Sequence, residues 1–163
     1  MQLIVMEGLP ADHEAAIQVW RAANIARQRP PSAARVARIW EKLADPDACL
    51  VIGRVDTRGE MLAMALAEPG RAEDGDGAVV PGSGHVSMLF VHPDFWGQGV
   101  GSQLLQGLHD RASERGWSSL KLWTRGSNLR ARRLYEGQGY RASGRETSLE
   151  AGDLIIELAR PAH

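Results

Sequence analysis

An α/β domain built on a mixed sheet is the fold class this sequence predicts, and three observations predict it. Apolar strand-like runs alternate with stretches of helical periodicity along the whole chain. In residues 86–124 a strand, a glycine turn, a helix and a second strand follow in order, and strands joined through a helix run parallel. Residues 49–68, in contrast, read as a hairpin, so antiparallel pairs belong to the same sheet.

Taken in order, residues 2–6 (QLIVM) form a short first strand. Pro10-Ala11-Asp12 opens a helix in which Ala16, Val19, Trp20 and Ala23 keep helical spacing to about Arg27. Arg29-Pro30-Pro31 breaks it. Ser32 caps a second helix whose apolar face is Val36, Ile39, Trp40 and Leu43, ending before Asp45-Pro46. Strands at 49–55 and 60–68 follow, turned at Thr57-Arg58-Gly59.

Residues 69–84 (PGRAEDGDGAVVPGSG) read as a solvated mobile loop. Its acids Glu73, Asp74 and Asp76, with the preceding Glu68, also have the charge to attract a cationic substrate. An apolar strand, Val86 to Val91, ends at His92-Pro93. The helix after the glycine turn buries Val100, Leu104, Leu105, Leu108 and Ala112 and stops at Arg115-Gly116. A strand at 117–124, a short helix at 128–138 and closing strands at 139–147 and 153–159 complete the order, the last pair turned at Glu150-Ala151-Gly152. No repeat or linker interrupts residues 1–163, so one domain is expected.

The turn Trp96-Gly97-Gln98-Gly99-Val100-Gly101 is where chemistry enters. A helix N-terminus offers backbone N–H groups without internal partners, and its dipole adds partial positive charge. Glycine lets a phosphate approach that backbone with no Cβ in the way. Taken alone, such a turn is as readily purely structural. Two familiar phosphate motifs are excluded: the turn has no lysine for a P-loop, and its glycine spacing is wrong for a dinucleotide fingerprint.

Composition bounds the rest. With 163 residues, 44% hydrophobic and 24% charged, the chain has the profile of a soluble globular protein. A formal net charge of −1 predicts neither a nucleic-acid nor a membrane-surface partner. The single cysteine, Cys49, lies in an apolar run and reads as a small buried residue. Without a disulfide framework, a charged leader or an apolar run near the roughly 20 residues of a membrane span, a cytoplasmic protein is expected. No metal site is expected.

At this point a family resemblance becomes specific. Val91-His92-Pro93-Asp94-Phe95-Trp96-Gly97-Gln98-Gly99-Val100-Gly101 resembles the central motif of the GNAT superfamily of N-acetyltransferases: a strand ending Val-x-Pro, then R/Q-x-x-G-x-G/A opening a helix. A second signature is similar at Asn128, Ala131, Leu134-Tyr135-Glu136 and Gly139-Tyr140, and the element order matches over nearly the whole chain. One position departs: Trp96 stands where Arg or Gln is usual, which leaves the phosphates without a nearby guanidinium unless Arg130 or Arg132 substitutes.

The resemblance implies a mixed, mostly antiparallel sheet of about six or seven strands with about four helices, and acetyl-coenzyme A as cosubstrate. It implies that backbone amides of Gly97, Gln98, Gly99, Val100, Gly101 and Ser102 hold the pyrophosphate. Leu89, Phe90 and Val91 pair through their backbone with the pantetheine arm, an N–H at or beside Val91 holds the thioester carbonyl, and Asn128 bonds the arm. Tyr135 becomes the general acid, since an ordinary tyrosine (pKa about 10) is protonated at neutral pH and can donate to a departing thiolate.

The general base stays open. Histone-modifying members of the family carry a Glu near the start of this strand; counting back from Val91, the nearest equivalent is His85, and period-two alternation puts it on one face with Ser87, Leu89 and Val91. Glu68 and water are the rivals. Relatives that acetylate ribosomal proteins carry a Glu where this chain has Trp123, which argues against a peptide N-terminus as acceptor. A small primary amine (an amino acid, polyamine or antibiotic-like amine) is the expected acceptor, near residues 24–36 and the 69–84 segment. Trp20, Trp40 and Trp123 are better read as core than as an aromatic pocket. A protein or peptide acetyltransferase and a non-catalytic acyl-CoA sensor are the alternatives. Many relatives dimerise, so the oligomeric state is open between monomer and homodimer.

Overall fold

The computed structural model describes residues 2–148 and 152–161, the Asp74 side chain excepted. Its elements are β1 (Ile4–Glu7), α1 (His13–Ala26), α2 (Ala33–Ala44), β2 (Cys49–Arg54), β3 (Met61–Arg71), β4 (Val79–Val91), α3 (Val100–Glu114), β5 (Ser119–Arg125), α4 (Leu129–Gly137), β6 (Arg141–Ser148) and β7 (Leu154–Pro161). The strands form a 7-stranded sheet in the order β1-β2-β3-β4-β5-β7-β6. β4 and β5 are parallel, as the intervening helix requires, while β1–β2, β2–β3, β5–β7 and β6–β7 are antiparallel. The predicted class, order and parallel pair therefore hold.

Packing divides the chain into two compact units. In the unit made of the residues up to Ala67 and Met88–Arg111, β2 and β3 are buried almost throughout. Helices α1 and α2 press Ile17, Trp20, Ile39 and Leu43 onto Leu50, Ile52, Met64 and Leu66. Ser32 caps α2 as expected, its hydroxyl accepting from the Arg35 N–H at 3.2 Å. Met6 of β1 packs with this cluster, while its neighbour Val5 lies so close to Gly107 of α3 that a Cβ there would collide with it. Alternation along β1 thus puts α3 on the opposite face of the sheet from α1 and α2. There Leu104, Leu105 and Leu108 are fully buried, each contributing about 2 kcal/mol of apolar burial. Cys49 is buried, as read. Trp40 is not core: it is 43% exposed and meets His13 edge-on.

The other unit holds Glu68–Ser87 and the residues from Ala112 on. Here the expected loop at 69–84 is corrected. β3 continues to Arg71 and β4 begins at Val79, so only the tip is a turn, closed by Ala72 N–H to Ala78 O at 2.9 Å. The glycines that read as loop residues serve close approach instead. A Cβ on Gly70 would strike Ser83, and one on Gly84 would lie 2.7 Å from Leu120 and from the Trp117 ring. The turn expected at Glu150-Ala151-Gly152 lies, apart from Gly152, outside the described residues. Among the described residues no helix is long and apolar enough to cross a membrane.

Candidate active site

The glycine turn sits in the first unit, at the end of β4. His92 N–H still donates to Leu62 O (2.8 Å), so β4 stays tied to β3 beyond its last strand residue. Pro93–Phe95 then forms a single 3-10 turn, and the His92 Nδ1 accepts from the Asp94 N–H at 3.2 Å. His92 and Asp94 thus form the strand-exit turn. Trp96 follows. Its indole Nε1–H donates to the carbonyl of Val91 at 2.7 Å, pinning the start of the glycine turn to the end of the strand.

Gly97 and Gly99 both have positive φ, +75° and +77°, and a Cβ on either would meet nothing within 4 Å. L residues pay for that backbone region and glycine does not, so the turn needs glycine twice. Both glycines are exposed, which leaves their amides open to approach. α3 starts at Val100, and an α-helix leaves its first N–H groups without an intrahelical acceptor. Gln103 N–H already bonds Gly99 O (3.2 Å), so the run of first-turn donors is Val100, Gly101 and Ser102. Buried Val100 anchors that end. Backbone N–H groups at a helix N-terminus beside exposed glycines are the donor set that suits a pyrophosphate.

Phe90 of β4 packs its side chain against the α1–α2 core, so its part in any ligand contact rests on the backbone. Over it lies a residue that the motifs did not single out. The Arg27 guanidinium sits 5.7 Å from the Phe90 ring centroid and 5.6 Å from that of Trp96. No local pattern announces such a contact, because it joins the end of α1 to residues more than sixty positions on.

In the second unit, His85 lies within β4 rather than at a strand start, opposite Lys121 of β5 in parallel register. Gly84 and Val86 are buried whereas His85 and Ser87 are half-buried, the expected alternation. The β4–β5 ladder runs from Ser83–Ser119 to His85–Lys121, and both strands continue past it. Glu68 is half-buried on β3.

α4 begins at Asn128, whose Oδ1 accepts from Ala131 N–H at 3.1 Å. The cap uses the oxygen of the side-chain amide, whose nitrogen is a donor only. Tyr135 is 9% exposed and meets Tyr140 edge-to-face, with centroids 5.5 Å apart. Burial pushes the Tyr140 phenol well above the usual tyrosine range, Tyr135 adds to this, and Arg160 opposes it. Arg132, a candidate phosphate partner by sequence, is instead engaged within its own neighbourhood, with Gly126 O at 3.1 Å and Glu136 at 3.7 Å.

A further polar cluster went unread in the sequence. Glu157 of β7 is 3% exposed, pairs in register with Trp123 of β5, and accepts from Ser143 Oγ (2.8 Å) and Arg145 (3.2 Å). Arg145 stacks over the Trp123 ring at 5.6 Å. A buried carboxylate needs such partners, and only the strand register brings them together.

The family model for the "Acetyltransferase (GNAT) family" matches residues 14–140, a span that includes both motifs. The chain belongs to that family. Membership brings the enzyme class, N-acetyltransferase, and the acyl donor, acetyl-coenzyme A. An uncharacterized N-acetyltransferase of Archaeoglobus fulgidus is 40% identical over 58 residues, which is 36% of this chain and 40% of that protein's length. Among solved structures, the ribosomal-protein-S18-alanine N-acetyltransferase of Escherichia coli superposes with a TM-score of 0.76 at 24% identity, over 99% of this chain and 94% of that one. The PaiA N-acetyltransferase of Thermoplasma acidophilum, solved with coenzyme A, gives a TM-score of 0.68 at 13% identity over 99% of each chain. At these identities the GNAT enzyme shares its fold with them and no acceptor is carried over.

Proposed function

We propose that this GNAT protein transfers the acetyl group of acetyl-coenzyme A directly to the primary amine of a small molecule. The observation that carries the reading is the glycine turn itself: two exposed glycines with positive φ, opening onto the N-terminus of α3 one short turn after the β4 strand end. In this reading amides of Gly97–Ser102 take the pyrophosphate, where helix-terminal N–H groups and dipole favour negative charge. The pantetheine arm runs along Leu89–Val91 as an added strand. A backbone N–H at or next to Val91 polarises the thioester carbonyl and stabilises the oxyanion that forms when the amine attacks. The Asn128 Nδ2 amide steadies the arm.

Two protons must then move. The attacking amine is mostly an ammonium at neutral pH and must lose a proton; His85 takes it, directly or through water, with Glu68 as the rival. The departing thiolate needs one, and the Tyr135 phenol supplies it. Trp123, with Arg145 stacked on it, occupies the position where ribosomal-protein acetylating relatives have an acid, which supports a small amine over a peptide.

Thiol release from acetyl-CoA, measured against amino acids, polyamines and short peptides, tests this. Turnover confined to peptides would replace the small-molecule acceptor, and CoA binding without turnover on any amine would make the protein a sensor rather than an enzyme.

A further inference from the structure

Tyr135 is the buried residue of α4, a helix of nine residues. A helix this short gains little from its own hydrogen bonds and takes its position from what it is tied to. At its start the tie is Asn128, which accepts from Ala131 N–H. At its end the Tyr135 carbonyl accepts from two amides, Gln138 N–H at 2.9 Å and Tyr140 N–H at 3.1 Å. The fully buried Tyr140 ring then meets the Tyr135 ring edge-to-face. The closing turn of α4 thus sets the place of the Tyr135 phenol.

That turn is fastened from another element. The last carbonyls of a helix have no intrahelical donor and carry the negative end of its dipole, so a cation there is favourable. α4 has no basic residue in its own last turn. Arg160 of β7 supplies one: its Nε–H donates to the Gln138 carbonyl at 2.9 Å. Arg160 stands opposite Leu120 in the β5–β7 ladder, so this bond ties the helix end to the sheet. Arg141 also donates to Glu136 O at 3.3 Å, but from the stretch of chain that directly follows the turn. The Arg160 charge reaches the ring pair as well, where it opposes the rise that burial imposes on the Tyr140 phenol.

We infer that Arg160 is a positioning residue for the reaction: by holding the closing turn of α4 against β7, it keeps the Tyr135 phenol where the thiolate departs. This deepens the proposed function and rests on it. Arg160 acts through the Gln138 carbonyl, through the turn that fixes the Tyr135 backbone, and through the Tyr140 ring set against the phenol. A general acid works only within hydrogen-bond reach of the atom it protonates. A shift of about 1 Å in that turn therefore slows turnover while leaving coenzyme A bound as before.

The test is a double-mutant cycle read by thiol release, with wild type, Arg160→Met, Tyr135→Phe and the two combined. Arg160→Lys serves as the conservative variant, and CoA affinity is measured by calorimetry. Arg160→Met keeps the aliphatic stem and deletes the donor. Its kcat should fall by about tenfold, with the KM for acetyl-CoA and the CoA affinity within about twofold of wild type. Arg160→Lys, which still brings a cationic donor, should recover most of kcat. In the Tyr135→Phe background Arg160→Met should cost nothing further, because the phenol it positions is gone. Should Arg160→Met not fold by circular dichroism, Arg160→Gln takes its place in the same cycle. An unaltered kcat in the Arg160 variant overturns the positioning role, and so does a loss that multiplies with that of Tyr135→Phe. A loss confined to CoA affinity assigns Arg160 to the cofactor and overturns it too. If Tyr135→Phe slows turnover while the Arg160 variant does not, the acid role stands and only that of Arg160 is removed. If Tyr135→Phe itself leaves turnover unaltered, both are removed.

Discussion

Trp96 donates its indole N–H to the carbonyl of Val91 at 2.7 Å. The residue that departs from the family pattern is therefore a structural clamp between strand end and glycine turn. A side chain that usually reaches outward as a cation or amide is replaced by one that turns back onto the backbone. Its ring also carries Arg27, so a guanidinium is present near the turn, supplied by α1 rather than by the motif.

Trp96→Phe keeps a ring under Arg27 but leaves the Val91 carbonyl without its indole donor. A lost hydrogen bond of this kind costs about 1–2 kcal/mol. Thermal denaturation should show a Tm lower by a few degrees, and the KM for acetyl-CoA should rise several-fold as the turn loosens. An unchanged KM would mean the clamp does not govern the cradle.

Gly99→Glu places a carboxylate at an open position with φ +77°. The left-handed backbone costs an L residue about 1–2 kcal/mol, and no neighbouring atom within 4 Å is displaced. The protein should still fold by circular dichroism. Calorimetry should find CoA binding weakened by more than about 100-fold through repulsion of the phosphates. Retained binding would remove the cradle assignment.

Tyr135→Phe preserves the edge-to-face contact with Tyr140 and deletes only the phenolic hydroxyl. Turnover should fall by about 10²-fold with CoA affinity nearly unchanged, as expected when a general acid is lost. Stopped-flow or steady-state thiol release decides this, and unaltered turnover ends the acid role.

His85→Ala should flatten the acidic limb of the pH–rate profile, because below the imidazole's working range the protonated base can no longer accept a proton. If the limb persists in the variant, the base is Glu68 or water.

Tyr140 makes the protein sensitive to alkali. Its folded-state pKa lies above the ordinary tyrosine value, chiefly from burial, so the unfolded chain releases this proton first. Its contribution is fully present below about pH 10 and is lost as pH rises beyond it. Tyr140→Phe should make the fall in chemical-denaturation stability above about pH 10 shallower than in wild type. A fall of the same steepness would place the alkaline sensitivity elsewhere.

The element order, the parallel β4–β5 pair, the buried face of α3 and the glycine turn were legible in the sequence, because each follows from local spacing. Leu104, Leu105 and Leu108 recur at the helical period, and a helix between two strands leaves little choice of direction. Residues 69–84 misled for the same reason. Proline and glycine are local signals for a turn, yet Gly70 and Gly84 are in strands because Ser83, Leu120 and Trp117 leave no room for a Cβ. Trp40 followed the helical period of α2 and still lies on the surface.

By itself, then, the sequence determined the family, the acyl donor and the backbone that suits a phosphate, since these depend on residues adjacent in the chain. Tertiary structure alone decided what Trp96 does, where Arg27 lies, and how Glu157, Ser143 and Arg145 satisfy one another. Each of those rests on contacts between distant segments, set by strand register and helix packing. The turn whose backbone suits a phosphate is local chemistry, while the guanidinium held over its first residue, Trp96, is placed only by folding.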